Sequence, residues 1–290
     1  MGLLNHSVDG CGVTSHGDTN WRLHVPQNEL APTLREELIG LARTAIAGRM
    51  GAPHHRSRYA DTWAATVGGT AGFGIFIKLM EAPRGIAWLK RIAKGSRGAH
   101  IERITQALND SGFSAPSVLL RATNHAGAEL VITEQAEGDG PLRALARLAG
   151  PLARKRALLR GFGRELARFH RCGFVHGDLT PFNIFFIRGE PIRFALIDNE
   201  RTRRISILMG QRPRLRNLVQ LGRFALPHLS RTDRLRVLNG YAELKSPSAR
   251  RVLTRRLAAM LDRRLKRDGG LAPVPAMRAD PSESRRRERP

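Results

Sequence analysis

The chain has 290 residues, 41% of them hydrophobic, and 49 Lys and Arg against 25 Asp and Glu give it a net charge of +24. That length can bury a real core in one large domain or two packed lobes, and no apolar run reaches the roughly 18 residues a membrane-crossing helix needs. A surface this positive attracts polyanions: nucleic acid, anionic lipid or a phosphorylated glycolipid.

The N-terminal stretch lacks the basic start and apolar centre of a secretory signal. Gly2 does not make a myristoylation motif, because His6 stands where Ser or Thr is wanted. Cys11 and Cys172 form no spacing pattern and read as free thiols of a reducing cytoplasm. Residues 1–28 are polar and without period, so they read as a loose leader. Residues 32–48 follow with Leu34, Leu38, Leu41 and Ala45 at helical spacing behind Pro32. From Tyr59 to Leu79 the pattern becomes strand, glycine turn, strand, with Gly68, Gly69 and Gly72 at the turn.

Residues 100–110 predict a helix with Ile101, Ile104 and Leu108 on one side, and 117–121 and 129–133 predict two strands. Residues 154–171 form a longer amphipathic pattern with Leu158, Leu159, Phe162, Leu166 and Phe169 inward. Two short apolar runs end at Ile187 and Asp198, and almost everything after Asn217 has helical period up to a Pro- and Arg-rich tail. Strands first and helices after predict an α+β chain with a small sheet lobe and a larger helical lobe. The expected divisions are a leader over 1–28, a sheet lobe with its N-terminal helix over 29–134, a helical lobe over 135–267 and a disordered basic tail over 268–290.

The chemistry concentrates in the segment from Phe174 to Asn183, which reads F-V-H-G-D-L-T-P-F-N. Asn183 follows Asp178 by five residues, and a second apolar run, Phe194 to Ile197, ends in Asp198. Phosphoryl transfer explains such a set. The γ-phosphate is densely charged, and a bridging Mg²⁺ takes hard oxygen ligands, which Asn183 and Asp198 supply. Asp178 is then left to orient the attacking hydroxyl and accept its proton. A hairpin between Asn183 and Asp198 would hold both ligands at one end of two paired strands.

This segment resembles the catalytic loop of the protein-kinase-like superfamily in an H-G-D form. Gly177 replaces the Arg of regulated protein kinases, Asn199-Glu200-Arg201 lacks the Gly of D-F-G, and no A-P-E-like segment follows. These departures point to kinases of small molecules or glycolipids. The resemblance implies a two-lobed protein-kinase-like fold and the use of ATP with Mg²⁺. It makes Lys78, at the end of F-G-I-F-I-K, the lysine on the ATP phosphates and nominates Glu102 as its helix partner. It makes Glu134 and Ala136 part of the hinge whose backbone meets adenine. No glycine-rich loop precedes Lys78 at kinase spacing, so the phosphate-covering loop falls near Gly51–Asp61.

Outside these motifs the chain is similar to the lipopolysaccharide core kinases, which phosphorylate heptose or Kdo sugars. The features are a long insert with Trp88 between Lys78 and the next helix, the spacing of Asp198 and Arg201, and the segments Arg216–Arg223 and Arg231–Tyr241. The resemblance implies transfer of the ATP γ-phosphate to a sugar hydroxyl of lipid-linked core oligosaccharide at the inner face of the cytoplasmic membrane. The basic insert (Arg84, Lys90, Arg91, Lys94 and Arg97 among apolar residues) reads as an interfacial helix for an anionic membrane or as a solvated helix. Nucleic acid is the disfavoured partner. Two alternatives stay open: an atypical protein kinase or ATPase acting on an RNA-associated partner, and a pseudokinase scaffold.

Overall fold

The computed structural model describes residues 13–14, 21–25, 30–57, 59–69, 72–82, 95–148, 150–187, 193–206 and 210–273. The chain divides into two compact units: Met1–Arg103 with Ser117–Gln135 and Arg278–Pro290, and Ile104–Pro116 with Ala136–Met277.

The first unit is a seven-stranded antiparallel sheet in the order β1-β2-β6-β7-β5-β4-β3. Its strands are β1 (Val13–Thr14), β2 (Trp21–His24), β3 (His55–Arg56), β4 (Ala60–Val67), β5 (Phe73–Met80), β6 (Val118–Asn124) and β7 (Glu129–Glu134). Helix α1 (Pro32–Ile46) has Pro in its first turn and buries Leu38, Ala42 and Ala45. These join Trp63, Ile75, Ile77, Leu120, Leu130 and Ile132 in one apolar cluster. A stripe of apolar residues at helical spacing meets alternate residues of β-branched-rich strands, the ordinary way to cover one sheet face. The β4–β5 hairpin turns at Gly68 (φ 89°) and Gly69 (φ 64°), a left-handed backbone that glycine adopts without strain.

Trp21–His24 differs from the expected leader. It is a sheet strand, paired from Trp21↔Asn124 to His24↔Arg121, with Trp21 and Leu23 buried and Arg22 and His24 exposed. Four residues are too short for a period to show in a polar stretch, yet that alternation is the signature of a half-buried strand. Helix α2 (Arg97–Asp110) starts three residues earlier than its apolar period indicates. The cause is Glu129, buried on β7. Its carboxylate accepts from the Arg97 and Gly98 amides (3.0 and 2.7 Å) and from Ser96 Oγ (2.5 Å). An acid there satisfies the first orphan N–H groups and meets the positive end of the helix.

The second unit is mainly helical: the end of α2, then α3 (Pro141–Arg147), α4 (Leu152–Arg171), α5 (Arg212–Gly222), α6 (Arg231–Tyr241) and α7 (Pro247–Asp268). Two strand pairs accompany them, β9 (Ile184–Ile187) with β10 (Arg193–Leu196) and β8 (Phe174–Val175) with β11 (Arg203–Arg204). The core gathers Leu108, Phe113, Leu158, Phe162, Leu166, Phe169, Phe174, Ile184 and Leu218. Arg168 holds the turn after α2 by donating to the Ser111 and Gly112 carbonyls, both at 2.8 Å, while its guanidinium lies 3.7 Å over the Phe113 ring. The expected tail begins inside ordered structure, because α7 runs to Asp268 and Ala272 bonds to Arg223. Residues 274–290 lie outside the described residues.

Helices α4 and α6 touch backbone to backbone at two glycines. A Cβ on Gly163 would lie 2.1 Å from the Val237 carbonyl oxygen, and one on Gly240 would lie 2.1 Å from that of Arg160. Beside this contact Lys155 Nζ donates to Asp233 Oδ2 at 2.7 Å, and Asp233 also closes the capping box with Ser230. Burial raises the Asp233 pKa, but the bonds from Lys155 and Ser230 outweigh it and bring the group down to about 2. Gly163→Val should therefore force the two helices apart and lower stability by about 2 kcal/mol or more, read as a lower urea midpoint at unchanged slope. Val at the helical, solvent-facing Gly161, where a Cβ meets nothing within 4 Å, is the control and should not lower it.

Candidate active site

The buried pair Phe174–Val175 carries the chain into His176, whose side chain is itself fully buried. His176 Nδ1 accepts from the Asp178 amide (3.2 Å), so Nε2 carries the proton and donates to the Ile197 carbonyl (2.9 Å). Burial lowers its pKa and keeps the ring neutral. One imidazole thus ties the amide of Asp178 to the residue preceding Asp198. Gly177 has no room for a side chain, since a Cβ would lie 2.2 Å from the Cβ of Arg201 and 2.6 Å from its carbonyl oxygen. The H-G-D form follows from that crossing of two backbones.

Asp178 is half-buried, and its Oδ1 lies 3.4 Å from Gln220 Nε2. Asn183 ends a 3₁₀ turn, Pro181–Asn183, and its Nδ2 donates to the Asp178 carbonyl at 2.8 Å. That bond fixes the amide orientation and leaves Oδ1, which has no hydrogen bond among the described residues, as the outward oxygen. The hairpin expected between Asn183 and Asp198 is present, with Ile184 opposite Leu196 and the Ile197 amide bonded to the Asn183 carbonyl at 3.1 Å. Asn183 and Asp198 therefore share one end of it. Asp198 is exposed and left-handed (φ 56°, ψ 50°), a conformation Asp tolerates better than most residues but which still costs free energy. Asn199, buried behind it, donates to the Leu196 carbonyl (2.9 Å) and accepts from Thr202 Oγ1 (3.0 Å), which holds the turn.

Sequence reasoning missed the residues that hold this loop. Asn217 on α5 uses all of its hydrogen-bonding capacity. Its Oδ1 accepts from the His176 amide (3.0 Å) and from His170 Nε2 (3.2 Å), while its Nδ2 donates to the His176 carbonyl and to Gln220 Oε1 (3.2 Å). His170 in turn accepts at Nδ1 from the Tyr241 hydroxyl at 2.8 Å. Gln220 Oε1 also takes the Leu179 amide (3.3 Å), and its Nε2 donates to the Gly177 carbonyl (3.2 Å). The available signal was polar Asn217 and Gln220 interleaved with Leu215, Leu218, Val219 and Leu221.

The remaining candidates lie in or beside the sheet unit. Lys78 is half-buried on β5, opposite Thr62 of β4 and Val131 of β7. Glu102 is not its partner. The carboxylate of Glu102 accepts from Arg121 Nε at 2.6 Å, with His24 at 3.7 Å. Ile101 is the residue α2 buries against Met80, Val118 and Val131, and the next position is turned by about 100° round the helix, towards β6 and β2. Glu134 ends β7, where its carboxylate takes the Ser117 amide at 3.1 Å, and Ala136 begins the second unit. The Gly51–Asp61 region holds the β3–β4 hairpin, clipped by Arg56 on Asp61 (2.9 Å). Arg84, Lys90, Arg91 and Lys94 of the insert lie outside the described residues.

Asn217→Ala should leave the His176 amide and carbonyl buried without partners, lowering stability by about 3 kcal/mol and loosening the loop. Acid should act through His170. Burial lowers its pKa from 6.5 to about 4, with Asn217 opposing and Arg214 adding to the fall. The unfolded chain then binds the extra proton, so stability is full above about pH 6.5 and falls by about 3 kcal/mol as pH drops towards 4. Urea titrations across that range should show the slope, and His170→Gln should reduce it.

The model of the Lipopolysaccharide kinase (Kdo/WaaP) family matches residues 98–241, from the first turn of α2 to the end of α6. Among solved structures, WbdD in complex with the kinase inhibitor LY294002 aligns at 20% identity and a TM-score of 0.41, covering 71% of this chain and 49% of that one. A second structure, of the bifunctional kinase-methyltransferase WbdD, aligns at 20% identity and a TM-score of 0.39 over 65% of this chain and 45% of that one. The chain spans about half the length of these proteins. No curated protein matches it. The chain is α+β, and its segment with the H-G-D loop and the Asn217 brace is a match to the lipopolysaccharide kinase (Kdo/WaaP) family.

Proposed function

We propose that this protein is an ATP-dependent kinase that transfers the γ-phosphate to a sugar hydroxyl, heptose or Kdo, of the lipid-linked lipopolysaccharide inner core. The observation that carries the reading is the loop itself. Asp178 stands on backbone held by His176, Asn183 and Gln220, while Asn183 and Asp198 share the adjacent hairpin end. Phosphoryl transfer gains most from such fixed placement, since the protein has little covalent work to do.

Asp178, with Gln220 near its Oδ1, is the residue that orients the acceptor hydroxyl and takes its proton. The outward Oδ1 of Asn183 and the exposed carboxylate of Asp198 fit Mg²⁺, a hard ion that takes one or two carboxylates and keeps its other positions for water and phosphate. When bound, that ion offsets the negative charge of the phosphates. Lys78 meets an ATP phosphate, and the backbone at Glu134 and Ala136 meets adenine. The β3–β4 hairpin neighbours the Lys78 strand, with Thr62 opposite Lys78, which supports it as the phosphate-covering loop. The acceptor places the protein at the inner face of the cytoplasmic membrane. No helix among the described residues is long and apolar enough to cross one.

Asp178→Asn keeps the side-chain shape and removes the charge. It should lower kcat by on the order of 10²–10⁴-fold, measured as phosphate added to dephosphorylated core oligosaccharide by mass spectrometry. ATP affinity should barely change. Asp198→Ala should instead abolish Mg²⁺-dependent ATP binding in calorimetry. Near-normal turnover of Asp178→Asn would refute the reading of this loop and favour a scaffold.

A further inference from the structure

Helix α7 carries more Lys and Arg than any other element among the described residues, and none of its side chains is fully buried. Over 22 residues it carries seven arginines and one lysine against Asp262 and Asp268. Its inner face, Leu253, Leu257 and Met260, packs on the core of the second unit. Three cations are matched by its own acids, Lys266 to Asp262 (3.0 Å) and Arg264 and Arg267 to Asp268 (2.5 and 3.7 Å), and Arg250 donates to the Lys245 and Glu243 carbonyls. Arg251, Arg255, Arg256 and Arg263 are exposed and have no hydrogen bond or ion pair among the described residues.

This arrangement works against the helix by itself. Arg251 and Arg255 are like charges one turn apart, which destabilises an isolated helix. The first turn contains no acid, although the helix dipole favours one there. A face that only had to be solvated would do better with alternating signs. An anionic surface brought against it removes both penalties at once.

The pattern along the face selects the kind of surface. Val252, Arg256, Ala259 and Arg263 recur at i, i+4, i+7 and i+11, one exposed stripe that alternates apolar and cationic groups. Val252 is 53% exposed, and Leu244, in the turn just before the helix, is 80% exposed. Apolar tips between arginines suit the boundary of head groups and acyl chains, where the former enter and the latter meet phosphates.

We infer that the outer face of α7 is a docking surface for anionic lipid membrane. It deepens the reading above, resting on the acceptor being lipid-linked, and it assigns the membrane contact to a segment outside the family match. The charge needed to reach the leaflet is then carried by the same unit as Asp178.

The full chain should cosediment with vesicles containing about 30% phosphatidylglycerol, stay in the supernatant with pure phosphatidylcholine, and be released by high salt. Replacing Arg251, Arg255, Arg256 and Arg263 together by Gln should weaken vesicle binding by on the order of 10²-fold or more. All four side chains are exposed, so the melting temperature should hold. A charge-matched control, Gln at the exposed Arg35, Arg49, Arg154 and Arg156, should keep most of the binding. Equal losses in the two variants would mean net charge alone acts and would overturn the proposal, as would undiminished binding of the α7 variant. Tighter binding to a single-stranded RNA 20-mer than to the vesicles, lost in the α7 variant, would overturn it in favour of nucleic acid. None of these measurements reads phosphoryl transfer, so failure here leaves the kinase reading standing, and inactivity of the enzyme leaves this one.

Discussion

Asn217 is the side chain on which the candidate centre depends. It holds the peptide groups on both sides of His176 from one position on α5, and its other bonds go to His170 and Gln220. A buried amide with every donor and acceptor matched is worth more than its bonds counted singly, because any loss strands a partner away from water. The chain of contacts runs from the Tyr241 hydroxyl on α6 through His170 on α4 to Asn217, so three helices converge on the backbone of one short loop.

That brace explains why the rest of the loop can be strained. Asp198 remains left-handed, and Gly177 accepts the backbone of Arg201 at a distance no side chain permits. Both features are held from behind, by Asn199 and Thr202 on one side and by His176 bonded to Ile197 on the other. The glycine at 177 is thus a packing requirement of this loop.

The sheet unit uses buried charge differently. Glu129 is nearly inaccessible to solvent, yet amides at the start of α2 and the Ser96 hydroxyl surround it. The acid fixes where α2 begins. The helix phase then turns Glu102 to Arg121, because Ile101 is the side that meets Met80 and Val131. The strand Trp21–His24 extends the same sheet beyond what its polar surroundings announce.

Helix α1, the β4–β5 hairpin and the hairpin that joins Asn183 to Asp198 were legible in the sequence. They depend on local period, turn residues and spacing along one stretch of chain, and each is a short-range property. Three-dimensional packing decided the rest. The Asn217 and Gln220 brace, the partner of Glu102, the cap by Glu129 and the glycine crossings of α4 with α6 join residues about 20 to 80 apart, and no local pattern encodes which of them meet. A side chain's partner depends on the rotation of its element about its own axis, and only the packed core sets that rotation.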